Sequence, residues 1–163
     1  MEHVADHPRS QYPVSAQTTV PADPLADALA EVQRIVAQYP ELTNFGFGVF
    51  DQHRLSPAER DEQFLRNRSA MFEQRSLVEF LRARAWLQGQ GKRQTINRWG
   101  TSYGLKHVAE HDIGYVTNGM FITAAVSAGF AIERARRGWR LSPNAWMNIS
   151  TRAWRRRTDG GRT

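Results

Sequence analysis

Residues 101–128 read TSYGLKHVAEHDIGYVTNGMFITAAVSA, and the class of fold turns on how they are read. Two helical patterns flank a glycine-bearing joint around Asp112–Gly114. The first runs from about Ser102 to Glu110, with Ser102 as its cap and Leu105 and Val108 turned inward. The second runs from about Thr117 to Ala128, with Gly129 as its stop. Ala124, Ala125 and Ala128 give the second helix a small-residue surface, which lets another helix approach closely, while Phe121, Ile122 and Val126 supply bulk. Helix, short turn, helix is the spacing of a helix-turn-helix, which braces a recognition helix in the major groove. Such a helix needs several Arg, Lys, Gln or Asn on its outer face. This one offers Thr117, Asn118 and Thr123 and is otherwise nearly all apolar, the composition of a buried strut.

Upstream, the same helical periodicity recurs. Asp23 and Pro24 suit the N-cap and first position of a helix whose stripe is Leu25, Ala28, Leu29, Val32, Ile35 and Val36, ended by Pro40. Phe45, Phe47, Val49 and Leu55, interleaved with Gly46 and Gly48, read as a short strand or a loop pinned to the core. Ser56-Pro57-Ala58-Glu59 is a capping box, and the helical region after it extends to about Gln88 with a break near Asn67–Ser69. Phe64, Leu65, Met71, Phe72, Leu77, Val78, Leu81, Ala85 and Trp86 are its inward candidates, and Gly89 and Gly91 stop it through the left-handed cap conformation. QGKRQTINRWG, residues 90–100, reads as a polar, basic connector, and SPNAWMNIS, residues 142–150, as a turn into a short helix. The expected architecture is mainly α: an extended leader (1–23) containing three prolines, one small helical domain (24–151) and a basic tail (152–163).

The chain has 163 residues, of which 40% are hydrophobic, enough for one domain with a real core. The absence of cysteine excludes disulfides, thiolate metal sites and a cysteine nucleophile. No run of about 18 apolar residues occurs, so a membrane partner is not expected. The N-terminal stretch lacks the apolar region of a secretory signal, and a cytoplasmic location is expected.

His107, Glu110, His111 and Asp112 raise the question of a metal or acid–base site. On one helix His107 shares a face with Glu110 (i, i+3) and with His111 (i, i+4), and paired histidines four apart are what a zinc-binding helix uses. The residues between are Val-Ala-Glu, not the pattern of a metalloprotease, and a third ligand would have to come from elsewhere, for example His53 or Asp51, which nothing in the sequence demands. Gly-x-Ser-x-Gly, P-loop and dinucleotide-binding motifs are absent. No catalytic residue, metal or cofactor is therefore assigned, with His107 and His111 left as the metal candidates.

Charge is the stronger signal. Residues 22–88 carry eight arginines against ten acids, net −2, whereas residues 89–163 carry thirteen Lys or Arg against four acids, net +9. Such asymmetry points to a polyanionic partner. Three neighbourhoods combine arginine with tryptophan: Lys92, Arg93, Arg98 with Trp99; Arg134, Arg136, Arg137, Arg140 with Trp139; and Arg152, Arg155, Arg156, Arg157 with Trp154. Guanidinium groups neutralise phosphates and release counterions, and tryptophans stack on unpaired bases or anchor their loops to the core.

The run TINRWGTSYGLKHVAEHDIGYVTNGMFITAAVSAGF, followed by Ser142-Pro143-Asn144, resembles a segment of small proteins of proteobacterial phages, prophages and plasmids over roughly residues 95–149. The resemblance implies a mobile-element origin and assigns no catalytic residues. Three functions are then expected in order: a non-enzymatic accessory protein gripping nucleic-acid phosphates, a small inhibitor or adaptor that binds a host defence complex, and a hydrolase or nuclease using His107, Glu110, His111 and Asp112.

Overall fold

Asp23 opens the first helix as its side chain requires, accepting a hydrogen bond from the Leu25 amide at 3.0 Å, with Pro24 at the first helical position. The computed structural model describes residues 23–152. The leader, residues 1–22, and the tail residues Trp154, Arg155, Arg156 and Arg157 lie outside the described residues.

Helix α1 (Pro24–Gln38) buries Ala28, Val32, Ile35 and Val36, the stripe its spacing predicts. A minimal antiparallel hairpin follows, β1 (Leu42–Thr43) with β2 (Gly46–Phe47). Helix α2 (Pro57–Ser69) starts on the expected capping box, with Ser56 and Glu59 bonded reciprocally, and buries no residue. A 3-10 turn, Ala70–Phe72, leads to α3 (Gln74–Gln88). The inward face of α3 is Leu77, Phe80, Ala83 and Leu87. The expected face included Val78 and Ala85, which are exposed, as is Leu65 on α2. The expected break is present, with α2 ending at Ser69, but the 3-10 turn that follows it sets the phase of α3 and turns Val78 and Ala85 off the core. Gly89 ends α3 with φ −81°, a right-handed conformation in place of the expected left-handed cap.

The chain then departs from an all-helical plan. Strand β3 (Lys92–Asn97) occupies the expected connector, and after α4 (Ser102–Ile113) and α5 (Asn118–Ser127) comes a hairpin of β4 (Ile132–Arg137) and β5 (Arg140–Ile149). The three strands form one antiparallel sheet in the order β3-β5-β4. Among the described residues 53% are helical and 20% lie in strands. The fold is therefore mixed α/β, with five α-helices and five strands, not the mainly α domain expected.

The short helix expected at 142–150 is part of β5. Pro143 obscured the strand, because proline cannot donate to a ladder and argues against a central strand. The structure accommodates it in a bulge. Arg134 pairs with Ala145 and Arg136 with Leu141, so Ser142, Pro143 and Asn144 fall outside the regular register. Beyond the bulge, Ala145, Met147 and Ile149 alternate onto the helix-covered face.

Helix α5 is the centre of the molecule. Every residue from Asn118 to Ala125 is buried, enclosed by α1, α3, α4, the β1–β2 hairpin and β5. Gly119 is what admits the hairpin. Its amide donates to the Asn44 carbonyl at 2.9 Å, and a Cβ there would collide with the Thr43 carbonyl. Phe80 and Phe121, both fully buried, are the bulkiest side chains of this core, each contributing about 1.5–3 kcal/mol.

Candidate functional site

The alternation of a pleated strand decides where the second-half cations go. The outer face of the sheet holds Glu133 opposite Trp146, and Arg98 reaches over from the end of β3. Arg98 donates to Glu133 at 2.8 Å and its guanidinium lies 5.1 Å from the Trp146 ring centroid. Arg136 also approaches Glu133, at 3.8 Å. Lys92 sits over the Phe130 ring at 4.8 Å. Trp99 follows β3 and is half exposed.

Arg134 has another task. Its Nη1 donates to Glu41 at 2.6 Å, its Nε donates to the Ser142 carbonyl at 2.8 Å, and the guanidinium covers the Phe47 ring. It ties the sheet to the β2 segment, so it is withdrawn from the expected interface. Arg93, Arg137, Arg140 and Arg152 are exposed and have no carboxylate within 4.0 Å among the described residues.

The hairpin tip concentrates this charge. Gly138, at φ +61°, makes the turn, and Arg137 stands directly opposite Arg140 in the register. Between them in sequence is Trp139, 84% exposed, with the Arg140 guanidinium 5.0 Å from its ring centroid. Leu141 beside it is exposed as well. Like charges directly opposite on a ladder destabilise it by about 0.2–1 kcal/mol.

The histidine cluster resolves differently. His107 Nδ1 lies 2.6 Å from Glu110 Oε2, and since an ionised carboxylate only accepts, Nδ1 carries the proton. Glu110 Oε1 accepts from Lys106 Nζ at 2.7 Å and from the Val116 amide at 3.2 Å. Burial pushes the Glu110 carboxyl up, but the hydrogen bonds from Lys106, the Val116 amide and His107, with the Lys106 charge, outweigh it and hold the carboxyl below its ordinary value. His111 is exposed and does not join the group, and Asp112 instead accepts from Trp86 Nε1 at 2.8 Å. Among the described residues no group of three or more His, Cys, Asp or Glu is placed to hold a metal ion, so His107 and His111 gain no third ligand there.

Lys106 and His107 lie on a cleft of about 690 Å³ between α2, α4, the β1–β2 turn, the start of α5 and the β5 bulge. Nothing in the charge pattern pointed to it. Lys106 is only 4% exposed, and Tyr103 and Tyr115 each place a ring centroid 5.3 Å from its ammonium. Asn118 rivets the cleft floor. Its Nδ2 donates to the Phe45 carbonyl at 3.2 Å and to Asn144 Oδ1 at 3.0 Å, and its Oδ1 accepts from the Ser102 hydroxyl at 2.8 Å.

Compared with protein-family models, with curated proteins and with solved structures, the chain matches none. No helix among the described residues is long and apolar enough to cross a membrane.

Proposed function

We propose that the protein is a non-enzymatic nucleic-acid-binding accessory protein that grips phosphates with its three-stranded sheet, led by the tip of the β4–β5 hairpin. The observation that carries this reading is the Arg137–Arg140 pair. Two arginines pair across the ladder with no carboxylate within 4.0 Å of either among the described residues, a like-charge cost that a phosphate bound at the tip would relieve. Trp139 at the same tip supplies a flat apolar group for a groove or an exposed base. The mobile-element setting rests on the resemblance of residues 95–149 alone.

The order of elements supports the reading by analogy of fold. Helix α3, strand β3, α4, a short turn, α5 and the β4–β5 hairpin, with the last strand central, is the layout of a helix-turn-helix carrying a β-hairpin wing. Here α5, which would enter the groove, is buried, so contact falls to the wing.

The test is a salt titration of binding to duplex and single-stranded DNA, with wild type and the Arg137→Ala/Arg140→Ala variant. The expected result is a strong salt dependence, with the slope of log K against log salt reduced by about one for each arginine removed. Salt-independent binding, or an unchanged slope in the variant, would overturn it.

A second reading is favoured by one observation. Trp139 and Leu141 are large, exposed and flanked by arginine, and Trp and Arg are the residue types enriched in protein-interface hot spots. A stoichiometric protein partner retained after nuclease treatment, and lost in Trp139→Ala, would support an inhibitor or adaptor.

A further inference from the structure

The cleft beside the sheet is built for a ligand that phosphate binding does not explain. We propose that it takes one unstacked nucleobase of the bound nucleic acid, an inference that rests on the phosphate-gripping role of the sheet. Four observations converge.

The first is size. About 690 Å³ falls within the range of sites that enclose small organic ligands. The second is charge. Lys106 and Glu110 neutralise each other inside the cleft wall, so the interior is not a trap for a free anion or cation. Yet an ammonium has three N–H donors, and only one of those on Lys106 has an acceptor among the described residues, that of Glu110. The side chain is almost wholly buried, its ammonium lies against the rings of Tyr103 and Tyr115, and it forms part of the cleft lining. Ring nitrogens and carbonyl oxygens of a nucleobase are acceptors of the required kind.

The third observation is the walls. Tyr103 is 52% exposed and Tyr115 58%, and Phe50 on the opposite side is more exposed still. Three aromatic side chains that stay half exposed or more along one cleft, two of them backed by the Lys106 ammonium, suit a flat partner, since every base has a π-face. Asn67 and Asn144 also line the cleft; the Asn144 oxygen already accepts from Asn118, and side-chain amides offer donors and acceptors as the edge of a base does. The fourth is position. Pro143 and Asn144 reach the cleft because the bulge turns them out of the sheet, and Arg140 lies three residues before Pro143 on the same strand. The hairpin arginine Arg140 and two residues of the cleft lining thus share one strand.

Removing a base from its stack is least costly when it is already unpaired. The experiment compares two otherwise identical duplexes, one fully paired and one carrying a single bulged 2-aminopurine. The full chain is titrated as wild type, as Tyr103→Leu/Tyr115→Leu and as Arg137→Ala/Arg140→Ala. Both tyrosines are exposed, so the leucine variant is expected to fold, and circular dichroism checks this. Wild type should bind the bulged duplex about tenfold or more tighter than the paired one, with a change in 2-aminopurine fluorescence. The tyrosine variant should lose that preference while keeping its salt slope on the paired duplex. Equal affinity for the two duplexes in wild type, or a preference that survives loss of both tyrosines, overturns the base pocket and leaves the sheet reading intact. A preference that persists in the arginine variant with an unchanged salt slope overturns the sheet reading and keeps the pocket. Absence of binding to either duplex overturns both.

Discussion

At Ser102 one hydroxyl joins three elements. It donates to Asn118 Oδ1 at 2.8 Å and accepts from the Ala145 amide at 3.0 Å, fully buried where α4, α5 and β5 meet. Ser102→Ala leaves both partners unsatisfied, so we expect a loss of about 1–3 kcal/mol, read as a shift of the urea midpoint at constant m. Gly119→Ala drives a methyl into the Thr43 carbonyl, and the expected cost is about 1–3 kcal/mol or more, measured in the same way. Glu110 gives a pH signature. Its folded value lies below its ordinary value of 4.5, so the unfolded chain takes up the proton first. The stabilisation is complete above 4.5 and is lost as pH falls through the folded value. Glu110→Gln should therefore be less stable than wild type at neutral pH, the gap closing on acidification, as followed by thermal melts across the pH range. Much at this scale was legible in the sequence. Asp23, the Ser56–Glu59 box and the His107–Glu110 pair are contacts within one turn of helix, so their spacing specifies them. Ser102 reads as a cap, but Thr101 holds the N-cap position of α4, with no side-chain capping hydrogen bond, and Ser102 bonds across the fold. No local pattern announces a partner 16 or 43 residues away.

Among the elements, the β4–β5 hairpin departs most from expectation. Its strands alternate poorly, because arginines occupy both faces of β4 and Pro143 interrupts β5. The bulge that accommodates the proline lies outside the strand's own sequence signal, in the register of its partner. Strand β3 was missed for a similar reason. It is an edge strand with four consecutive exposed residues, Lys92 to Thr95, which read as a connector. At the hairpin tip, Trp139→Ala should change stability by no more than about 0.5 kcal/mol, since the side chain is mostly in solvent. The same substitution should weaken DNA binding, and comparing melting temperature with affinity separates the two effects. The helices fared better because their buried faces repeat every three or four residues. α3 is the exception, where the 3-10 turn shifts the phase ahead of it.

For the whole molecule, charge segregation was legible from composition and its spatial meaning was not. The second half carries the positive excess, but Arg134 is consumed in bracing the fold and Arg98 is shared with Glu133. Arg93, Arg137, Arg140 and Arg152 remain exposed with no carboxylate within 4.0 Å among the described residues. If each meets one phosphate of duplex DNA, at about −0.9 per contact the log–log salt slope is near −3.6, and affinity falls about 100-fold between 50 and 200 mM salt. Filter binding or fluorescence anisotropy over that range measures it. The cleft was invisible in the sequence, because its lining comes from five separated segments that only packing assembles.

The enclosure of α5 has a consequence for anyone wishing to borrow the basic hairpin as a module. A transplant starting at Pro57 would take the sheet and all its free arginines but discard α1 and the segment seated on Gly119. Met120, Phe121 and their neighbours would then face water, and the graft should aggregate instead of behaving as a stand-alone binding unit. The half of the chain with the fewest basic groups is thus indispensable to the half that carries them.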